Sequence, residues 1–307
     1  MSIWLFCLVA LLLAFLGGQK TPVLFILTGI LGPLPVLLVG WRLGPGPALA
    51  LALATALAIF ALKPGLETLT AHLGFGELLL MGVILSFLHR RGLDSPRAII
   101  LKVAALTLAA MVYLAGEAAY LGLSPQELLA RKSREVMDIF KQFLDEGTGA
   151  ALPLGGSPGG GWEATVQRLL PGLVVVNMGL VAWINVVLIR QISFALKWAE
   201  PGDSPLYHFA LPEWLIFAVV AAGFLLLVPV NGVRVFSLNF LMVLGLLYFC
   251  QGVAVVSAWF HRFSIPRAFR LVGYFLLFIN PLILLVIILG LMDLWVDFRR
   301  LHQTEEA

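Results

Sequence analysis

Charged residues are scarce in this sequence. Only 12% of its 307 residues are charged, 61% are hydrophobic, and the mean hydropathy is +1.00. A water-soluble domain has about 25% charged residues, so this chain has too little charge to cover a soluble surface. The formal net charge of +3 is small. Its arginines cluster at the ends of apolar runs, which indicates orientation in a membrane and argues against a nucleic-acid partner.

Residues that hold metals or perform covalent chemistry are also scarce. The two cysteines, Cys7 and Cys250, lie inside apolar runs and have neither metal-site nor disulfide spacing. The five histidines lie in loops or at the ends of apolar runs, and none has a second histidine at metal-ligand spacing. The sequence has no His-Glu-x-x-His motif. We therefore expect no metal, no cofactor and no enzymatic activity.

Long apolar runs fill most of the chain. Because a helix needs about 20 apolar residues to cross a bilayer, we predict an all-α polytopic transmembrane helix bundle of eight or nine spans. Residues 1–307 form a single integral membrane domain in this interpretation. The candidate spans are 2–18, 21–41, 44–62, 73–89, 96–121, 165–190, 212–229, 233–260 and 270–292. The first run has no basic n-region and no cleavage site, so it is predicted to be a retained span.

The basic residues predict the orientation of these spans. Arg90, Arg190 and Arg262 each belong to a short basic loop, and alternation over nine spans puts all three loops on one side. By the positive-inside rule that side is the cytoplasm, so the chain is expected in a cytoplasmic (inner) membrane. The same alternation puts the C-terminus outside. Arg299 and Arg300 argue against that outcome.

One polar insertion, 122–164, interrupts the apolar runs. Ser124 at an N-cap with Glu127 three residues later predicts the start of an amphipathic helix over 124–146. This helix either covers the ends of the spans or acts as a lid or docking helix. The glycine-rich stretch 147–162 is predicted to be a flexible linker, because no Gly-Lys-Ser/Thr follows and no strand precedes it.

Polar residues inside the apolar runs are the candidates for function. The hairpin from Pro229 to Gln251 contains a predicted tight turn at Asn231-Gly232, followed by Arg234 and Asn239. Under the predicted topology Asn231, Arg234 and Asn239 lie in the outer third of the bundle. Gln251 falls in the inner third and is therefore left out of the site.

Two acidic residues of other spans, Glu77 and Glu117, fall at the same predicted depth. Arg234 is expected to pair with Glu117 or Glu77, because an unpaired charge inside a bilayer is costly. An outward-facing polar pocket for ligand binding or gating would follow. The alternative is a structural ion pair. Asp293 lies in the same outer third, and Asn280-Pro281 predicts a kink in the last span.

Two resemblances add to this interpretation. Leu34-Pro35 to Gly44-Pro45, Asn239 with Leu246 to Gly252, and the closing Gly290-Leu291-Met292-Asp293 resemble the YybS-like family of bacterial membrane proteins. That family has no established activity. Locally, residues 31–62 resemble the Pro…Gly…Gly-Pro stretch in the S components of energy-coupling-factor transporters. The resemblance implies a protein that binds a small solute from the outer side and docks on a shared ATP-driven module.

Two functions therefore remain open. The first is an S-component-like transport or solute-binding subunit, with Asn231, Arg234, Asn239, Glu117 and Glu77 at an outward pocket. Its partners would be the lipid bilayer, an unidentified small molecule and a shared membrane partner protein. The second is a membrane scaffold or assembly factor in which these residues are structural and the 124–146 helix docks a partner.

Overall fold

The computed structural model describes residues 2–18, 20–62, 69–90, 96–124, 127–128, 130–132, 134, 162–198, 208–279, 281–296 and 298–299. Within these ranges the regular secondary structure is helical and no strand occurs. The helices are α1 (Ser2–Gly18), α2 (Pro22–Leu31), α3 (Pro33–Leu43), α4 (Pro45–Leu62), α5 (Leu69–Arg90), α6 (Pro96–Leu121), α7 (Trp162–Ala195), α8 (Leu215–Leu225), α9 (Asn231–Arg262), α10 (Arg267–Leu276) and α11 (Leu282–Val296). The predicted all-α class is confirmed. The linker 147–161 and residues 135–146 of the predicted amphipathic helix lie outside the described residues.

Four of the described helices are long and apolar enough to cross a membrane by length and composition. They are Val23–Leu43, Pro45–Leu62, Arg168–Ser193 and Asn231–Arg262. Four shorter apolar helices of 10–17 residues accompany them: Ile3–Gly18, Gly74–His89, Leu215–Leu225 and Leu282–Val296. A multi-pass membrane protein is consistent with these lengths, and the total of eight or nine spans stays a prediction.

The N-terminal helices pack through small residues. Gly32 joins α2 to α3 in a helical conformation (φ −53°, ψ −42°), so the two apolar segments continue each other despite the neighbouring prolines. On α5, a Cβ at Gly82 would lie 2.9 Å from the carbonyl oxygen of Pro33. Glycine is therefore required where α5 crosses the start of α3, because only a residue without a side chain allows this backbone approach.

Helix α9 is the most buried helix of the C-terminal half. Residues 244 and 246–256 are buried on it, and the helix contacts α7, α8 and α11. Gly252 on α9 faces Gly290 on α11, where a Cβ on Gly290 would lie 2.7 Å from the Gly252 amide nitrogen. This close approach puts the two backbones in direct contact.

The predicted last span, 270–292, is wrong as a single helix. The chain forms α10 and α11 instead, separated by turns at 277–279 and 281. Pro281 explains the break, because it has no N–H group and disfavours a helical conformation in the residue before it. The kink predicted at this position is therefore a complete interruption.

The last described residues, Phe298 and Arg299, lie near the C-terminal half of α9. The ring of Phe298 lies 6.0 Å from that of Trp259, which is within one turn of the end of α9 at Arg262. Arg299 donates a hydrogen bond to the carbonyl oxygen of Phe209, just before α8. Phe298 and Arg299 therefore lie beside the half of α9 that ends at Arg262. Residues 300–307 lie outside the described residues, and the side of the C-terminus stays a prediction.

Candidate functional site

The first two predicted site residues lie at the start of α9. The predicted tight turn at Asn231-Gly232 is wrong, because Asn231 is already the first residue of α9 and the turn occupies residues 226–230. Asn231 and Arg234 are both exposed. In the described structure neither residue is paired with Glu77 or Glu117.

Asn239 is inserted into the backbone of α7. Its Oδ1 accepts a hydrogen bond from the Gly172 N–H at 2.5 Å, and its Nδ2 donates to the Arg168 carbonyl oxygen at 2.9 Å. In an unbroken helix Gly172 would donate to Arg168, but Pro171 lies between them inside the helix. The Asn239 amide therefore bridges the gap that the proline opens in α7, and its role in the structure is to join α7 to α9.

Glu117 pairs with a residue that the sequence reasoning did not select. Its Oε2 lies 2.9 Å from Lys132 Nζ, and its side chain is only 4% exposed, whereas the lysine is 31% exposed. The expected Arg234 partner is replaced by the lysine of the polar insertion. A buried carboxylate with an ion-pair partner is far less costly than an isolated one.

Glu77 and Tyr113 complete this group, which we call the Glu77–Glu117–Lys132 cluster. Glu77 on α5 interacts electrostatically with Lys132 and with Glu117. Tyr113, one turn before Glu117 on α6, interacts with both glutamates. The cluster therefore contains two carboxyl groups and one ammonium group at the junction of α5, α6 and the insertion. With all three ionised it carries a net negative charge.

The local sequence explains how Lys132 reaches Glu117. Helix α6 ends at Gly122, whose φ of +66° is readily adopted only by glycine. Ser124 then starts the next helical segment through the predicted capping box. Its N–H donates to Glu127 Oε2 at 2.7 Å, and its Oγ accepts from the Glu127 N–H at 3.2 Å. The box is confirmed, and the described residues between 127 and 134 are helical.

A sequence signal for the pair was present. Glu117 lies seven residues before Ser124 and Lys132 lies eight residues after it. In two helices joined by a short turn, residues equally distant from the turn lie side by side. Leu128, one turn before Lys132, is buried, which turns this face of the segment toward the bundle.

A second polar group lies around Gln251, which the sequence reasoning had excluded. Gln251 Nε2 donates to Asp293 Oδ2 at 3.1 Å, and its Oε1 accepts from the Leu211 N–H at 3.2 Å. Arg299 Nη2 lies 2.6 Å from the same Asp293 oxygen, and both side chains are 3% exposed. We call this the Gln251–Asp293–Arg299 cluster. In the sequence, the signal for this cluster was Arg299, a basic residue after the last predicted span that argued against the predicted orientation.

Neither group offers a metal-binding set. Within the ranges that the structure describes, no three His, Cys, Asp or Glu side chains are grouped to hold a metal ion. The first cluster has a half-exposed cation and an excess of carboxylate. In the second cluster, Gln251 and Arg299 both donate hydrogen bonds to the same carboxylate oxygen of Asp293.

Comparison with known proteins places the chain in a family. No curated protein and no solved structure matches the chain. A family described as "Predicted membrane protein (DUF2232)" matches residues 8–294, which is most of the sequence. The chain therefore belongs to this family of predicted membrane proteins.

Proposed function

We propose that the protein is a solute-binding or transport subunit that takes up a small cation at Glu77 and Glu117. The observation that carries this proposal is the excess of carboxylate: two glutamates share the single ammonium group of Lys132. Carboxylates in a low-dielectric interior need a counter-ion. A cationic solute can therefore replace or join the lysine.

The proposed protein crosses the cytoplasmic membrane of a bacterium in eight or nine spans, with the basic loops inside. Its role is binding and passage of the solute, without chemistry. The S-component resemblance of residues 31–62 supports docking on a shared ATP-driven module. Of the residues first predicted, Glu117 and Glu77 remain in the proposed site. Asn239 has its side chain committed to α7, and Asn231 and Arg234 are exposed.

The experiment uses the purified full chain with its native lipids. Mass spectrometry identifies small cations that co-purify, and binding of choline, ethylammonium and Mg²⁺ is measured by calorimetry. Glu117→Gln and Glu77→Gln remove one charge each and are expected to weaken cation binding about tenfold or more. Glu213→Gln removes an exposed carboxylate near the start of α8 and should leave binding unchanged. Absence of cation binding to the wild-type protein would overturn the proposal.

The second function, a scaffold or assembly factor, is favoured by Asn239. Both polar atoms of the half-buried Asn239 side chain are hydrogen-bonded to the backbone of α7. They therefore stabilise the bundle and leave no group for a ligand. The pair Glu117→Gln and Lys132→Met separates the two functions. If each single change lowers the folded yield and the double change is no worse, Glu117–Lys132 is structural. If all three variants fold normally and only cation binding changes, the transport function gains.

A further inference from the structure

A different set of polar groups lies where α3, α5 and α7 end. Trp41 on α3 stacks on His89 of α5, with ring centroids 3.4 Å apart and an angle of 11° between the planes. The neighbouring residue Arg42 places its guanidinium carbon 5.2 Å from the ring centre of Trp198, just after α7. Arg190, half-buried on the last turns of α7, is at the same end. The region is therefore basic and aromatic.

Two hydrogen-bond donors in this region are buried and have no partner. Trp41 is 9% exposed and Ser193 is fully buried. The indole Nε1 of Trp41 and the Oγ of Ser193 make no hydrogen bond in the described structure. Ser193 lies one turn beyond Ile189, which belongs to the same buried cluster as Trp41. An unsatisfied buried donor destabilises the fold, so both donors favour a bound acceptor.

The turn after α7 shapes the site further. Lys197 adopts a positive φ of 58°, and the Trp198 N–H donates to the Ser193 carbonyl oxygen at 2.7 Å. The chain thereby reverses at the end of α7 and brings Trp198 under Arg42. Trp198 thus links Ser193 to Arg42, which follows Trp41 in the sequence.

We propose that Trp41, Arg42, Arg190 and Ser193 bind a phosphate group. A phosphate offers several acceptor oxygens and a negative charge, so it can accept from an indole N–H, a hydroxyl and a guanidinium at once. Trp and Arg at the ends of apolar helices lie at the depth of lipid headgroups, and basic pockets there bind anionic headgroups. The phosphate is supplied either by an anionic lipid or by a soluble phosphate compound.

The test uses the full chain in nanodiscs. Two lipid compositions are compared, one with phosphatidylglycerol and one with a monoglucosyl diacylglycerol that has no phosphate. Retention of each lipid is read by native mass spectrometry, and inorganic phosphate is titrated separately with thermal unfolding as the readout. We expect preferential retention of phosphatidylglycerol. If phosphate alone stabilises the protein and displaces the lipid, the source is a soluble phosphate and the site is still supported.

Matched variants locate the binding. Trp41→Phe keeps the stack on His89 but removes the N–H donor, and Arg190→Gln removes a charge. Each is expected to weaken phosphate or phosphatidylglycerol binding about tenfold. Trp295→Phe and Arg262→Gln alter an exposed indole and an exposed guanidinium on other helices and should change binding less than about twofold.

Two results would overturn the proposal. The first is that the wild-type protein shows neither a preference for phosphatidylglycerol nor stabilisation by phosphate. This measurement does not depend on whether any variant folds. The other is an equal loss of binding in the Arg262→Gln control, which would reduce the effect to general surface charge.

Discussion

Two buried ion pairs in the described part of the chain, Asp293–Arg299 and Glu117–Lys132, differ in how completely they are enclosed. In Asp293–Arg299 both side chains are 3% exposed. Gln251 donates to the carboxylate, and Arg299 donates to the Phe209 carbonyl oxygen as well. In Glu117–Lys132 the carboxylate is 4% exposed but the lysine is 31% exposed. A second carboxylate, Glu77, shares the same lysine.

This difference separates a structural role from a binding role. A buried pair whose partners are also hydrogen-bonded to neighbouring segments joins those segments and is costly to open. In Glu117–Lys132 the cation is partly exposed and lies on a polar insertion, so separating the two charges costs less. The excess carboxylate gives the site an affinity for another cation under our proposal. The first pair joins α9, α11, Arg299 and the segment before α8. The second is the pair at which we propose that a cation replaces the lysine.

The largest expected effect comes from opening the enclosed pair. Arg299→Met leaves the Asp293 carboxylate buried without its cation and should lower the free energy of unfolding by about 3–5 kcal/mol. Equilibrium unfolding in mixed micelles, followed by circular dichroism, measures this change. The double variant Asp293→Asn with Arg299→Met removes both charges and should recover much of the loss. A loss below about 1 kcal/mol in the single variant would show that this pair is not enclosed in the membrane.

The amide bridge between α7 and α9 gives the next effect. Asn239→Leu leaves the Gly172 N–H and the Arg168 carbonyl without their partner, so we expect a loss of about 1–3 kcal/mol in the same unfolding measurement. Gly172→Ala should also destabilise, because a Cβ there would lie 2.6 Å from Asn239 Oδ1. Asn177→Ala replaces an exposed amide of α7 and serves as the control, with an expected change below about 0.5 kcal/mol.

A smaller effect is expected from the open pair. Lys132→Met should cost about 1 kcal/mol or less, because the lysine is partly solvated. Unfolding is measured beside Arg299→Met under the same conditions. Equal losses in the two variants would contradict the distinction between a structural pair and an exchangeable one.

The smallest effect concerns the start of the segment that carries Lys132. The pKa of Glu127 is lowered because its carboxylate accepts hydrogen bonds from the backbone N–H of Ser124 and from the Ser124 hydroxyl. Since the folded pKa lies below the ordinary value of 4.5, this carboxylate stabilises the segment above that value. The stabilisation is lost as the pH falls through the lowered pKa.

A spin label at exposed position 134 reports this loss. The label should be more mobile at about pH 3 than at about pH 6 in the wild-type protein. In Glu127→Ala it should be mobile at both pH values. A label whose mobility is the same in both proteins at about pH 6 would show that the capping box does not hold the segment.

The boundaries of several helices were predictable from the sequence because they depend on local chemistry. The span predicted at 96–121 is α6, the span predicted at 44–62 matches α4 within one residue, and the capping box at Ser124 is confirmed. Pattern reasoning failed at 270–292, where apolar character continues through Pro281 although the helix does not. Hydropathy records whether a segment is apolar, but not whether its backbone hydrogen bonds are unbroken.

The partners of the polar residues were harder to predict. Glu117 was correctly expected to need a cation, because a charge at its depth is costly alone. The choice between Arg234 and Lys132 depends on which helices are adjacent. Only Lys132 is connected to Glu117 by a short turn. For Asn239, the partner is a backbone gap made by Pro171 on another helix, which no single-segment pattern contains.

The sequence by itself determined the class of this protein, an all-helical chain too apolar for water, and the positions of several of its helix ends. These properties follow from composition and from interactions within a few residues. The tertiary structure alone decided that the Asn239 amide bridges the α7 backbone at Pro171, that Lys132 neutralises Glu117, and that Arg299 pairs with Asp293 beside Gln251. Each of these depends on contacts between distant segments, where the cost of a buried polar group is met by whichever partner the packing brings within hydrogen-bond distance.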